Sequence, residues 1–170
     1  KIFPAVRNCH PDQLLIVGDF AAGNNYHYLP VPRLTGTTTD ALVKRDVAAL
    51  ACTSTWIAYF CDDHIPANDF GEEMAKLPFT QADVFVPARY ASQEGHEGER
   101  LNMGESEVYC GGHAWVFRKS IIQELPWTSG PHDRLWDLLN SRRHQYAGYS
   151  YKWTETLKVF DCEPGATPWL

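Results

Sequence analysis

Apolar residues along this chain fall in short runs, broken by polar stretches that carry glycine or proline. Leu14-Leu15-Ile16-Val17 is unbroken and ends at Gly18-Asp19, which predicts a buried strand with an Asp at its carboxyl end. Ala21 to Arg33 contains Gly23, Asn24, Asn25, Pro30 and Pro32, a loop composition with room for a short strand at Tyr26 to Leu29. Thr39 or Asp40 can cap a helix that runs to about Cys52, with Leu42, Val43, Val47, Leu50 and Ala51 as its apolar face. Trp56 to Cys61 is apolar without interruption, and Asp62-Asp63-His64 follows at once. A strand apolar on both faces belongs inside a covered sheet, so the polar triplet is expected at its carboxyl end.

Further on, Phe70, Met74 and Leu77 are spaced for a helix over Asp69 to Leu77, and Ala82 to Pro87 reads as a strand. Gln93 to Glu107 is polar, with three glycines and five glutamates, and reads as a lid-like loop. Val108-Tyr109-Cys110 leads through Gly111-Gly112 into the apolar Ala114 to Phe117, then a short helix from about Lys119 to Leu125 and a loop at Trp127 to Pro131. A helix is expected from His132 to about Ala147, burying Leu135, Trp136, Leu138 and Leu139 and ending at Gly148, and a last strand from Leu157 to Phe160. Alternating strands and helices predict a single α/β domain whose central sheet is mainly parallel and flanked by helices, with ligands beyond the carboxyl ends of its strands.

At 170 residues, one ordinary domain can bury about 70% of its unfolded surface, enough for a real core. No apolar run approaches the ~20 residues that would span a bilayer. The net charge of −6 and the scattering of the basic residues as pairs, such as Lys44-Arg45 and Arg142-Arg143, argue against general nucleic-acid binding. Five cysteines, Cys9, Cys52, Cys61, Cys110 and Cys162, are odd in number and lack a C-x-x-C pair. That disfavours a zinc cluster or a full disulfide framework and points to a reducing, cytoplasmic compartment, with a Cys/His nucleophile pair left open. Aromatic residues make up 13% of the chain, a surplus that suits a core and equally the faces of sugars.

Two carboxylates and an imidazole directly after a buried strand offer hard oxygen ligands and one nitrogen, a set suited to Mn²⁺ or Mg²⁺. Asp62, Asp63 and His64 are therefore the candidate metal ligands. The competing reading is that the carboxylates only cap the following turn. His132 and His144 are candidates for a further ligand, and each is equally at home in a helix surface or core.

A buried strand ending in Asp-Asp-His and a later Gly111-Gly112-His113-Ala114-Trp115-Val116-Phe117-Arg118 segment resemble the nucleotide-sugar glycosyltransferases of the GT-A fold, over roughly residues 13 to 140. The resemblance implies a single Rossmann-like GT-A domain, with residues 1–110 as the donor half and 111–170 as the acceptor half. It implies donor contacts at Asp19, Lys44, Arg45, Asp62, Gly111, Gly112 and His113, and a Mn²⁺ or Mg²⁺ ion at residues 62–64. In an alternative register Cys61 stands in for the first Asp and Asp63 is the second. Trp115 is either a sugar contact or core. The carboxylate that such enzymes place at a helix start would be Asp133 in His132-Asp133-Arg134, with Asp137 as substitute; plain helix capping is the alternative role.

The implied activity is metal-dependent transfer of a sugar from a nucleotide diphosphate sugar, a UDP-sugar first, to an acceptor hydroxyl by inverting displacement, with Asp133 taking the proton. The first strand-helix unit and the acceptor region are both short for that family. A small acceptor pocket, or one completed in a homo-oligomer, is the consequence. Two other classes compete. Asp-Asp-His could hold a metal for a phosphoesterase or nucleotidyltransferase, and the aromatic surplus could serve a sugar-binding module without catalysis.

Overall fold

Most of the apolar runs become strands in the computed structural model of the chain, which describes residues 13, 15–18, 27–31, 38–61, 64–91, 98, 114–130 and 136–161. Strand β1 (Leu15–Gly18) pairs in parallel with β2 (His27–Pro30) as a small separate sheet. Helix α1 (Thr38–Ala51) leads to β3 (Trp56–Phe60), β4 (His64–Pro66) and the short helix α2 (Phe70–Ala75). After β5 (Val84–Tyr90) come β6 (Ala114–Arg118), α3 (Lys119–Glu124), a 3₁₀ turn at Trp127–Ser129, α4 (Trp136–Tyr146) and the long β7 (Tyr151–Asp161).

The main sheet has the order β3-β6-β5-β7-β4. Neighbours β3/β6, β6/β5 and β7/β4 are antiparallel, and only β5/β7 is parallel. Its edge strands β3 and β4 are successive in the chain and lie against each other, so the mixed sheet nearly closes into a barrel. The expected mainly parallel, Rossmann-like sheet of a GT-A domain is thereby corrected. Alternation of strands and helices does not by itself make neighbours parallel, and the two-sided burial of Trp56–Phe60 comes from two apolar clusters around an antiparallel pair.

Those clusters occupy the two faces. Val84, Val86, Trp115 and Phe117 join Leu42 and Ala49 of α1, Ile121 and Ile122 of α3, and Trp127, with Ile57 and Tyr59 packed against them. Phe85, Ala114, Val116, Leu157 and Val159 join Phe70 and Leu77, with Trp56, Ala58 and Phe60 alongside. Odd and even residues of β3, β5 and β6 thus divide cleanly between faces, as a period of two requires. In β7 the odd residues change sides: Tyr151 and Trp153 pack on the first cluster, Leu157 and Val159 belong to the second. The pairing steps from Pro87↔Thr154 to Ala88↔Lys158, so three residues loop out of register, and an odd insertion reverses the facing of everything after it.

Both long helices turn polar side chains inward, against the expected apolar faces. On α1 the buried positions are Asp40, Leu42, Arg45, Asp46 and Ala49, while Leu50 is exposed. On α4 they are Asn140, Ser141 and His144, and Leu139 is exposed. Several of these polar groups tie elements together. Asp46 accepts hydrogen bonds from the backbone N–H groups of Trp127 and Thr128, both 2.9 Å, and from the Thr128 hydroxyl at 2.7 Å, fastening the 3₁₀ turn to α1. Arg143 of α4 donates to the Leu125 and Pro126 carbonyls and to Ser129 Oγ. At the far end of α1, Lys119 Nζ donates to the Leu50 and Cys52 carbonyls, which the helix itself leaves without N–H partners.

Gly130 shows how tightly α4 docks. Its backbone, φ −103°, suits any residue. A Cβ there would lie 1.9 Å from Asn140 Oδ1 and 2.8 Å from Asn140 Cγ, and Asn140 is fully buried with its Nδ2 donating to the Trp136 carbonyl at 2.8 Å. Gly130→Ala is therefore expected to lower stability by about 1–3 kcal/mol, the usual range for overpacking, read from the urea midpoint. Adding Asn140→Ala should recover part of that loss, because the two side chains compete for one volume. Equal losses with and without the second change would place the strain elsewhere.

Candidate functional site

The expected metal-binding triplet falls between two strands whose ends are firmly held. Cys61 closes the run from β3, and His64 opens β4 three residues on. Asp62 and Asp63 between them lie outside the described residues, as do Asp19, Gly111, Gly112, His113, His132 and Asp133. His64 is buried, and in the β4/β7 ladder it faces Asp161, whose Oδ1 stands 3.0 Å from His64 Nε2. Arg89 of β5 grips the same carboxylate with two hydrogen bonds, Nε to Oδ1 at 2.7 Å and Nη2 to Oδ2 at 2.5 Å. Burial alone would raise the Asp161 pKa, but the bonds from His64 and Arg89 outweigh it and hold the carboxyl well below the usual range.

On the β3 side, Arg45 Nη2 donates to Cys61 Sγ at 3.3 Å, and the Tyr59 hydroxyl lies 3.5 Å from the same sulfur. The Arg45 guanidinium carbon sits 4.2 Å from the Trp136 ring centroid, 4.8 Å from that of Tyr59 and 5.1 Å from that of Trp115. Three negative ring faces around one cation offset part of its burial. Burial raises the Tyr59 pKa, and the neighbouring Arg45 charge only partly opposes this. For Cys61 burial again acts upward, while the His64 hydrogen bond and the Arg45 charge pull the thiol below its ordinary value.

Lys44-Arg45-Asp46, expected beside a nucleotide, therefore divides. Lys44 is half-buried, whereas Arg45 and Asp46 are spent on contacts inside the fold. Trp115, 1% exposed, stacks on Trp127 with centroids 4.1 Å apart and is a core residue. Asp137 is in the first turn of α4, where its Oδ1 accepts the Leu138 N–H. His144 has both ring nitrogens engaged, 2.9 Å from the Tyr151 hydroxyl and 3.0 Å from the Leu125 carbonyl. Among the described residues no group of three or more His, Cys, Asp and Glu could hold a metal ion. Among them too, no helix is long and apolar enough to cross a membrane.

Asp161 and Arg89 are the partners that sequence reasoning missed. Asp161 reaches His64 from β7 and Arg89 of β5 holds Asp161, both distant in the chain, and no local motif marks them. The nearest signal is the alternation of Tyr151-Lys152-Trp153-Thr154, which reads as a half-buried strand beginning well before Leu157.

No family model matches the chain, and no curated protein matches it. In fold it is similar to the crystal structure of A197 from STIV, with a TM-score of 0.51 and 15% identity over 82% of this chain and 74% of that one. A likeness at this identity concerns the fold alone. Together with the mostly antiparallel sheet, it overturns the membership of the GT-A glycosyltransferases that the motifs suggested.

Proposed function

We propose that the chain is a metal-dependent transferase that moves a sugar from a nucleotide diphosphate sugar, first of all a UDP-sugar, to an acceptor hydroxyl with inversion. The observation that carries the reading is the anchoring of both flanks of Asp62-Asp63: Cys61 by Arg45, and His64 by Asp161 and Arg89. Asp62 and Asp63 are hard oxygen donors that suit a divalent cation, whereas His64 is engaged inside the fold by Asp161 and Cys61.

Bound Mn²⁺ or Mg²⁺ would supply positive charge against the leaving diphosphate. The rest is work for the protein's own groups. In this reading Gly111 and Gly112, which lack side chains, and His113 would contact the sugar, and Asp19 and Lys44 the nucleotide. Asp133 accepts the proton of the attacking hydroxyl. The net negative charge of the chain makes diphosphate binding depend on this local site and disfavours nucleic acid.

Thermal-shift measurements with UDP, GDP and CMP, each with and without Mn²⁺, test the reading. One nucleotide should raise the melting temperature only with the metal, by an amount equivalent to about 2.7 kcal/mol at a hundredfold excess over Kd. Asp62→Asn should abolish the rise. If none of the nucleotides stabilises the protein, the transferase reading is wrong. Slow hydrolysis of a UDP-sugar to UDP and free sugar is the expected idle activity; UMP and sugar phosphate would instead mark a metal-dependent phosphoesterase.

A further inference from the structure

We draw no further inference here: the strongest candidate, the half-buried Cys61 thiol at the end of β3 with Arg45 Nη2 at 3.3 Å and the Tyr59 hydroxyl at 3.5 Å, adjoins the Asp62-Asp63 carboxylates of the site already described, and a nucleophilic role for it would rest on the titration of a single cysteine beside those groups.

Discussion

Replacing Trp115 with alanine is expected to cost about 3–5 kcal/mol of stability, the range found when a large buried aromatic side chain is deleted. Trp115 lies on β6, between β3 and β5. Its ring stacks on Trp127 and packs at 5.5 Å from Tyr59, 6.1 Å from Phe117 and 6.2 Å from Trp136. The void would open where the sheet, α4 and the 3₁₀ turn meet, and none of these can close it without breaking the hydrogen bonds that Asp46 and Arg143 make to the turn. Arg45 would also lose one of the rings that offset its burial. For a domain with a stability of about 5–15 kcal/mol this is a large fraction of the whole. Urea unfolding should show the midpoint falling with little change in slope, and Trp115→Phe should retain more than half of the stability that alanine loses. A loss below about 1.5 kcal/mol for alanine would mean that the cluster collapses into the space, contrary to a rigid stack.

The periodicity of the chain located elements better than it located their faces or directions. Trp56–Phe60, Thr38–Ala51 and Lys119–Glu124 form where the pattern placed them. Direction is a property of neighbours, and an unbroken apolar run such as Trp56–Phe60 carries no record of it; clusters on both faces of an antiparallel ladder bury it as thoroughly as helices cover a parallel one. The helix faces failed for a different reason. Apolar periodicity assigns Leu42, Val43, Val47, Leu50 and Ala51 to the inside of α1; Leu42 is buried there, but Leu50 and Ala51 are exposed while the hydrogen-bonded Arg45 and Asp46 face the core. On α4 the inward positions Asn140, Ser141 and His144 likewise follow hydrogen-bond partners, which a binary pattern does not encode. At the candidate site, the strand end before Asp62 was legible as a run that stops at a polar triplet. The support for His64 was not, since Asp161 and Arg89 come to it only through the pairing of β7 with β4 and β5.

Acidification should destabilise the protein through His144. The ring has no exposed surface, and its Nε2 lies 3.0 Å from the Leu125 carbonyl, which can only accept, so Nε2 carries the proton and Nδ1 accepts from the Tyr151 hydroxyl at 2.9 Å. The neutral imidazole is thus fully satisfied. Around it stand the Trp127 ring, Tyr149, Tyr151 and, on its own helix, the charged Arg143. Burial pushes its pKa down to about 4; the Leu125 carbonyl resists that shift, and the Arg143 charge adds to it. Because the folded value lies below the unfolded value of about 6.5, the unfolded chain takes up the proton first as pH falls. Stability from this residue is complete above about pH 6.5, declines between 6.5 and 4, and levels off below, for a total of at most about 3 kcal/mol. Urea midpoints measured from pH 8 to 3.5 for wild type and His144→Gln isolate the effect, because the carboxylates titrate alike in both. The variant should be less stable at pH 8, and its deficit should shrink across that window as the wild type loses what it never had. A deficit that stays constant with pH would show that His144 takes up its proton equally well folded and unfolded, and that its core hydrogen bonds do not select the neutral ring.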